Sequence, residues 1–417
     1  MMEYGCIGEK LTHSFSREIH RALAPYTYEL MELKREEVGA FLLQKEFHGI
    51  NVTIPYKETV LPYLDEVEES AREIGAVNTI VHQDGLLYGY NTDVYGMRAL
   101  FSLAGIHPEG KKVAILGTGG TSKTARAVAR TLGAREILIV SRTPSDSAIG
   151  YAELREKHND IDILINTTPV GMYPETENCP LNLDAFPSLV GVIDAIYNPL
   201  STDLILQARA RGICAVGGLY MLVAQAVRAS ELFLGTSYPE GTLECIYQRV
   251  LKEKQNIVLV GMPTSGKSTV GRMLSQVLDR PFYDTDTVYR EMFGLSAEET
   301  ILKEGEAIFR EGESEVCHRL GKETGAVIAT GGGVILREEN IRTLSHNGIF
   351  VFLDRPLEEL TASDTHPLSS TRETLQRLYE ERIDKYRACA DFTISGALSV
   401  EDTVERICQC LGLEFAK

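Results

Sequence analysis

NIVLVGMPTSGKS, residues 256–268, is an apolar run that stops at a glycine and restarts as the first turn of a helix. Its last eight residues, GMPTSGKS (261–268), satisfy the spacing GxxxxGK[ST] between a strand and a helix, the context that spacing requires. In such a loop the backbone amides cradle phosphates. Lys267 can reach the β- and γ-phosphates, and the Ser268 hydroxyl can ligate Mg²⁺.

Two other apolar runs also end in glycines, KVAILGTGG (112–120) and AVIATGGG (326–333). Strand and helix periodicities alternate nearly throughout, which predicts α/β layers. The turns near 117 and near 261 predict two separate nucleotide-binding units. LAGIHPEGKK (103–112) breaks a helical pattern and marks one boundary. A second follows the amphipathic TLECIYQRVLKEK (242–254). The expected domains are 1–105, completed by helices at about 219–254; 106–218; and 255–417.

The 417 residues suffice for two or three domains with sizeable cores. Lys plus Arg number 42 and Asp plus Glu 59, a net charge of −17, which disfavours a general nucleic-acid or anionic-membrane binder. No run of about 18 apolar residues occurs, as a membrane span would need. The start MMEYGCIGEKLTHS lacks the pattern of a secretory leader. The eight cysteines form no CxxC pair and read as reduced thiols, so the expected compartment is the cytoplasm. The expected partners are small-molecule substrates, with a homo-oligomer left open.

Gly117, Gly119 and Gly120 let a backbone approach a pyrophosphate at a helix N-terminus, with Ser122 where a third glycine is usual. The next strand, EILIVSRT (136–143), ends in Ser141 and Arg142, where an NAD site has a carboxylate. A guanidinium there suits a 2′-phosphate, hence NADP(H). Earlier, HSFS (13–16), NVTIPYKE (51–58), VNT (77–79) and NTD (91–93) gather hydroxyls and amides around one lysine and one aspartate, which suits a polyhydroxylated ligand.

These strings, with INTTPVGM (165–172), VIDAIYNPLSTDLI (192–205) and GGLYMLVAQA (217–226), occur in the order seen in shikimate dehydrogenases. Residues 3–250 resemble that family. The resemblance implies an α/β substrate domain with an inserted Rossmann-type NADP domain, and reversible reduction of 3-dehydroshikimate to shikimate by NADPH. It implies Lys57 and Asp93 as the catalytic pair. Ser14 and Ser16 would hold the substrate carboxylate. Thr53, Asn78 and Gln225 would reach its hydroxyls and carbonyl, with Tyr197 nearby. Gly218 and Met221 would line the nicotinamide side, and Thr143 would join Ser141 and Arg142 at the cofactor. Asp146 stands where the family often has a second basic residue, with Lys123 as its candidate replacement. A reading with quinate and NAD is the alternative that Asp146 motivates.

Beyond the phosphate loop, FYDTD (282–286) offers Asp284 and Asp286, expected on one face of a strand, one for the metal shell and one for an acceptor hydroxyl. GEAIFREGE (305–313) puts Arg310 and Glu313 three apart on a helix. Gly331, Gly332 and Gly333 allow close ligand approach, and Arg382 adds a cation. Residues 256–413 resemble shikimate kinases, which implies a P-loop NTPase domain of the nucleoside-monophosphate-kinase type and MgATP-dependent phosphorylation of the shikimate 3-hydroxyl. It implies Arg310, Gly332 and Arg382 on shikimate, Asp286 as proton acceptor, Asp284 and Ser268 on Mg²⁺, and Gly261, Gly266, Lys267, Ser268 and Thr269 on ATP. The family's lid usually has an arginine before Pro-Leu, where this chain has His366 in THPL. No Lys or Arg occurs from 356 to 371, so His366 or Arg372 is left for that role. The alternative is a weakly active or sensor-like domain that binds shikimate.

Overall fold

The structure is a computed structural model, and it describes residues 3–11, 15–360, 371–396 and 398–414. The chain divides into two compact units, Met1–Val250 and Leu251–Lys417.

The first unit holds two sheets. One orders its strands β2-β1-β3-β5-β6-β4. These are β1 (Tyr4–Gly8), β2 (Tyr28–Glu32), β3 (Gly49–Val52), β4 (Glu66–Val67), β5 (Thr79–Gln83) and β6 (Leu86–Tyr90). β3, β1 and β2 run parallel, while β5 pairs antiparallel with β3 and β6. The other sheet is parallel, ordered β12-β11-β10-β7-β8-β9. It comprises β7 (Lys112–Leu116), β8 (Glu136–Ser141), β9 (Ile149–Gly150), β10 (Ile163–Asn166), β11 (Gly191–Asp194) and β12 (Cys214–Val216). Every residue of β7 is buried, as expected of a strand covered on both faces. β7 lies between β8 and β10, so the strand order reverses there, and the crevice at its carboxyl end is where such sheets take ligands.

The helices Asp93–Ala104 and Leu219–Leu234 pack on each other. Gly96 makes the crossing close, since a Cβ there would sit 2.7 Å from the Met221 carbonyl oxygen. This packing sets Gln225, inside the second helix, against Thr92, the residue before Asp93 at the start of the first.

The second unit is a parallel sheet, ordered β14-β15-β13-β16-β17. Its strands are β13 (Asn256–Val260), β14 (Phe282–Asp284), β15 (Val327–Ala329), β16 (Gly348–Asp354) and β17 (Phe392–Ser395). Val258, Val260, Ile328, Phe350 and Phe352 face one core layer, and Ile257, Leu259, Val327, Val351 and Leu353 the other. β13 sits at the reversal between β15 and β16, and the phosphate loop leaves its carboxyl end.

One expectation is corrected. Asp284 ends β14, but Asp286 lies in the first turn of the helix Thr285–Phe293. The Asp284 side chain caps that helix by accepting from the Asp286 and Thr287 amides, so the two carboxylates share a turn and not a strand face.

Candidate functional site

In the first unit Lys57 Nζ meets Asp93 Oδ2 at 2.5 Å, with side chains 15% and 9% exposed. Asp93 opens its helix, where the unpaired amides and the dipole favour a carboxylate. A Cβ on Gly120 would lie 3.6 Å from Lys57 Cδ, so the glycine-rich turn after β7 faces the ion pair.

Beside this pair runs a buried network of amides and hydroxyls. Asn78 Oδ1 accepts from the Thr92 amide at 2.7 Å and from the Thr79 and Thr92 hydroxyls at 3.2 Å. Thr92 Oγ1 donates to Gln225 Oε1 at 3.4 Å. Asn51 Nδ2 donates to Thr79 Oγ1 at 3.1 Å, and Tyr28 donates to Asn51 Oδ1 at 2.7 Å. Thr53 follows β3 half-buried. Ser16 is buried at a helix start, and the neighbouring Phe15 ring lies 5.3 Å from that of Tyr197. Ser14 lies outside the described residues. Asn51, Thr79 and Tyr28 escaped the sequence reading as site residues. Asn51 stood inside a quoted motif, but its partners are cross-strand.

Around the dinucleotide turn, Ser122 Oγ donates to the Gly117 carbonyl at 2.7 Å, tying the helix to the loop. Gly119 caps the helix that Gly120 begins. Ser141 ends β8, its hydroxyl accepts from the Thr143 amide at 3.2 Å, and Arg142 is exposed. Lys123, the candidate replacement cation, pairs with Glu58 at 2.7 Å, and both side chains are about half exposed. Gly218 caps the helix that carries the buried Met221.

Asp194, also missed, is fully buried. It accepts from Thr202 Oγ1 at 2.6 Å, the Ile196 amide at 3.0 Å and Asn166 Nδ2 at 3.1 Å. Burial pushes its carboxyl up to about 6, against the pull of those bonds. The same contacts fix the turn that leads to Tyr197.

In the second unit Lys267, first in its helix and buried, donates to the Gly261 and Met262 carbonyls at 2.9 and 2.8 Å. Burial pushes its ammonium down to about 8, against the opposing pull of the Asp286 and Asp284 charges. Ser268 Oγ donates to Asp284 Oδ2 at 2.6 Å. Gly266 caps the helix in a left-handed conformation, and Thr269 is exposed.

Arg310 is gripped from two sides, by Glu313 at 2.8 Å and Glu306 at 2.9 Å. A Cβ on Gly333 would collide with its guanidinium. Arg382 Nη1 donates to the Gly332 carbonyl at 3.0 Å, and its buried Nε has no hydrogen-bond partner among the described residues. Tyr386, one turn on, donates to the same carbonyl and was not singled out in the sequence. Gly331 would place a Cβ 3.1 Å from Asp286 Oδ1 and 3.3 Å from Glu313 Oε1. The geometry thus brings Asp286, Gly331–Gly333, Arg310 and Arg382 together beside the phosphate loop. Arg372 donates to the Leu360 carbonyl at 3.0 Å, and His366 lies outside the described residues.

The described residues hold no cluster of three or more His, Cys, Asp or Glu placed for a metal. A hard cation held through Ser268 and Asp284 would complete its shell with water and phosphate oxygens, which these two oxygens fit. No helix among the described residues is long and apolar enough to cross a membrane.

Both units are similar to known protein families. Residues 6–80 match the model of the shikimate dehydrogenase substrate binding domain, and residues 263–412 match that of shikimate kinase. A shikimate dehydrogenase (NADP(+)) of Clostridium perfringens is 37% identical over 268 residues, 60% of this chain and 98% of the relative. The crystal structure of shikimate dehydrogenase 1 from Peptoclostridium difficile aligns with a TM-score of 0.56 at 36% identity, over 60% of this chain and 98% of that one. That of the Thermus thermophilus enzyme in complex with NADP(H) and shikimate aligns at 0.54 and 29% identity, over 60% and 99%. The chain belongs to the shikimate dehydrogenase family, and it is bifunctional in make-up, with a shikimate kinase domain following the dehydrogenase.

Proposed function

We propose that the chain catalyses two consecutive steps: reduction of 3-dehydroshikimate to shikimate with NADPH, then phosphorylation of the shikimate 3-hydroxyl with MgATP. The observation that carries this reading is the Lys57–Asp93 pair set against the dinucleotide turn at Gly120, in a chain whose second unit gathers Arg310, Arg382 and Asp286 at a phosphate loop. The boundaries 1–105, 106–218 and 255–417, with 219–254 completing the first, are our domain assignment.

NADPH held at the Gly117–Gly120 turn would supply the hydride for the ketone carbon. The ketone oxygen then gathers alkoxide charge, which the Lys57 ammonium neutralises by donating a proton, while Asp93 orients the ammonium. Asn78 and Gln225 hold substrate hydroxyls, held in place themselves by Thr92. Thr53 sits with them, and Ser14, Ser16 and Tyr197 take the carboxylate end. Gly117, Gly119 and Gly120 take the pyrophosphate, Ser141, Arg142 and Thr143 the 2′-phosphate, and Gly218 and Met221 the nicotinamide side. In the second unit Arg310, Arg382 and the Gly332 backbone bind shikimate. Asp286 accepts the proton of the shikimate 3-hydroxyl as that oxygen attacks the γ-phosphorus, the bond to the β,γ-bridging oxygen breaks and ADP leaves. Lys267 and the loop from Gly261 through Gly266 to Thr269 would stabilise the phosphates, and Ser268 with Asp284 would hold Mg²⁺. The free cysteines and net charge of −17 fit a cytoplasmic enzyme of small anions, with no nucleic acid or membrane partner.

A second reading, quinate with NAD, rests on Asp146 and on Lys123 being spent on Glu58. The test is NADPH oxidation with 3-dehydroshikimate and shikimate-dependent ADP release, each by the full chain, against quinate with NAD⁺. Activity only with the quinate pair would overturn the first half. Shikimate binding with no ADP release would overturn the second half and leave a shikimate-binding domain.

A further inference from the structure

The phosphate loop stands at the centre of its sheet, with a different set of residues on each side. Toward β15 and β14 lie Asp284, Asp286, Gly331–Gly333 and the two buried arginines, Arg310 and Arg382. A triphosphate whose γ-phosphate faces that acceptor side must direct its nucleoside the other way, over the carboxyl ends of β16 and β17. Those two ends are joined, since the Gly396 amide donates to the Asp354 carbonyl at 3.3 Å.

Arg355, the first residue after β16, occupies this second side. Its Nη2 lies 3.8 Å from where a Cβ on Gly266 would be, against the shoulder of the phosphate loop. The same nitrogen donates to the Leu398 carbonyl, beyond β17, at 3.2 Å. The guanidinium therefore spans from the loop after β17 to the phosphate loop. Among the described residues it forms only a loose ion pair, with Glu359 at 3.8 Å, and a quarter of the side chain is exposed. Arg355 also directly precedes the stretch 356–371, which has no Lys or Arg, while Arg372 beyond that stretch is turned to the Leu360 carbonyl.

We infer that Arg355 is a nucleotide-binding residue, contacting the α-phosphate end of ATP or ADP from the β16–β17 side of the loop. The inference rests on the kinase reading above and adds to it a cation at the α-phosphate end, apart from the lid role left to His366 or Arg372. A guanidinium is suited to this place because its planar fork can keep one N–H on a backbone carbonyl and turn others to a phosphate oxygen. Arg355 binds and positions the nucleotide. The transferring phosphoryl group is on the far side of Lys267.

The test is calorimetric titration of the full-length chain with ADP and, separately, with shikimate, for wild type, Arg355→Gln, Arg355→Lys and Glu359→Gln. Arg355→Gln keeps a donor for the Leu398 carbonyl and removes the charge. It should raise the ADP Kd about tenfold, with the shikimate Kd and the NADPH-linked rate unchanged. Arg355→Lys should recover part of the loss, and Glu359→Gln should leave ADP binding equal or tighter. An ADP Kd within twofold of wild type in Arg355→Gln would overturn the inference. So would a parallel loss of shikimate binding, which would mark Arg355 as a structural tie. Wild-type chain that shows this Arg355 dependence but releases no ADP with shikimate would support the inference and overturn the kinase reading. Wild-type chain that binds no ADP would overturn both.

Discussion

The two lysines at the centre of the two sites are held in opposite ways. Lys57 is met by a carboxylate, Asp93, so its positive charge is matched before any substrate arrives. Lys267 is turned onto neutral carbonyls of its own loop, and burial pushes its ammonium down to about 8. The difference follows from the ligand each is proposed to serve. A ketone is neutral until hydride arrives, so the dehydrogenase residue needs a standing partner. A triphosphate brings its own negative charge, so a permanent carboxylate partner on Lys267 would compete with it.

The largest expected effect breaks the comparison cleanly. Lys57→Ala should lower NADPH-linked turnover by about 10²–10⁴-fold while leaving shikimate-dependent ADP release intact. Loss of both activities together would show that Lys57 supports folding and not chemistry. Lys267→Ala should do the reverse, costing about 10²–10³ in the ADP-release assay with dehydrogenase rates unchanged.

A pH titration sharpens the contrast. The free-site Lys267 is neutral above about 8, and bound phosphates raise its affinity for a proton. ATP binding should therefore take up a proton above that pH, and the affinity should fall by up to about tenfold per pH unit as pH rises further. Calorimetry in two buffers of different ionisation enthalpy reads this uptake directly. A flat affinity from pH 7 to 9.5 would contradict it. The sign for folding is opposite. The folded state binds this proton less well than the unfolded chain, so Lys267 costs stability below about 8, and the cost is relieved as pH rises toward 10.5.

Asp194 offers a smaller test in the first unit. Asp194→Ala leaves the Thr202, Asn166 and Ile196 donors without their acceptor and should cost about 1–3 kcal/mol in denaturant unfolding, with a raised KM for 3-dehydroshikimate. The smallest effect is expected at Lys123→Met. Its pair with Glu58 is about half exposed, so neither stability nor the NADPH KM should move by more than about twofold. A tenfold rise in the NADPH KM alone would return Lys123 to the 2′-phosphate.

Much of each site was legible as short strings. The phosphate loop, the dinucleotide turn and the Arg310–Glu313 spacing each lie within one strand–turn–helix or one helix, where periodicity and local geometry settle which groups face together. The Asp284–Asp286 pair shows the limit. Strand alternation was the natural reading of FYDTD, yet the Asp284 side chain caps the next helix and ends the strand two residues earlier than alternation assumes. The Lys123–Glu58 pair lay beyond local reading, because Glu58 comes from a segment 65 residues away.

By itself the sequence determined the α/β class, the two glycine-rich turns and the residue types that carry the chemistry, since these depend on spacing within a few residues of chain. Only the tertiary structure decided which of those residues hold one another. Thr92 meets Gln225 across 133 residues, Arg382 reaches Gly332 across 50, and Arg355 joins Leu398 across 43. Such pairs are selected by the packing of whole helices and sheets, whose crossing and register depend on the sum of many buried contacts and not on any local string.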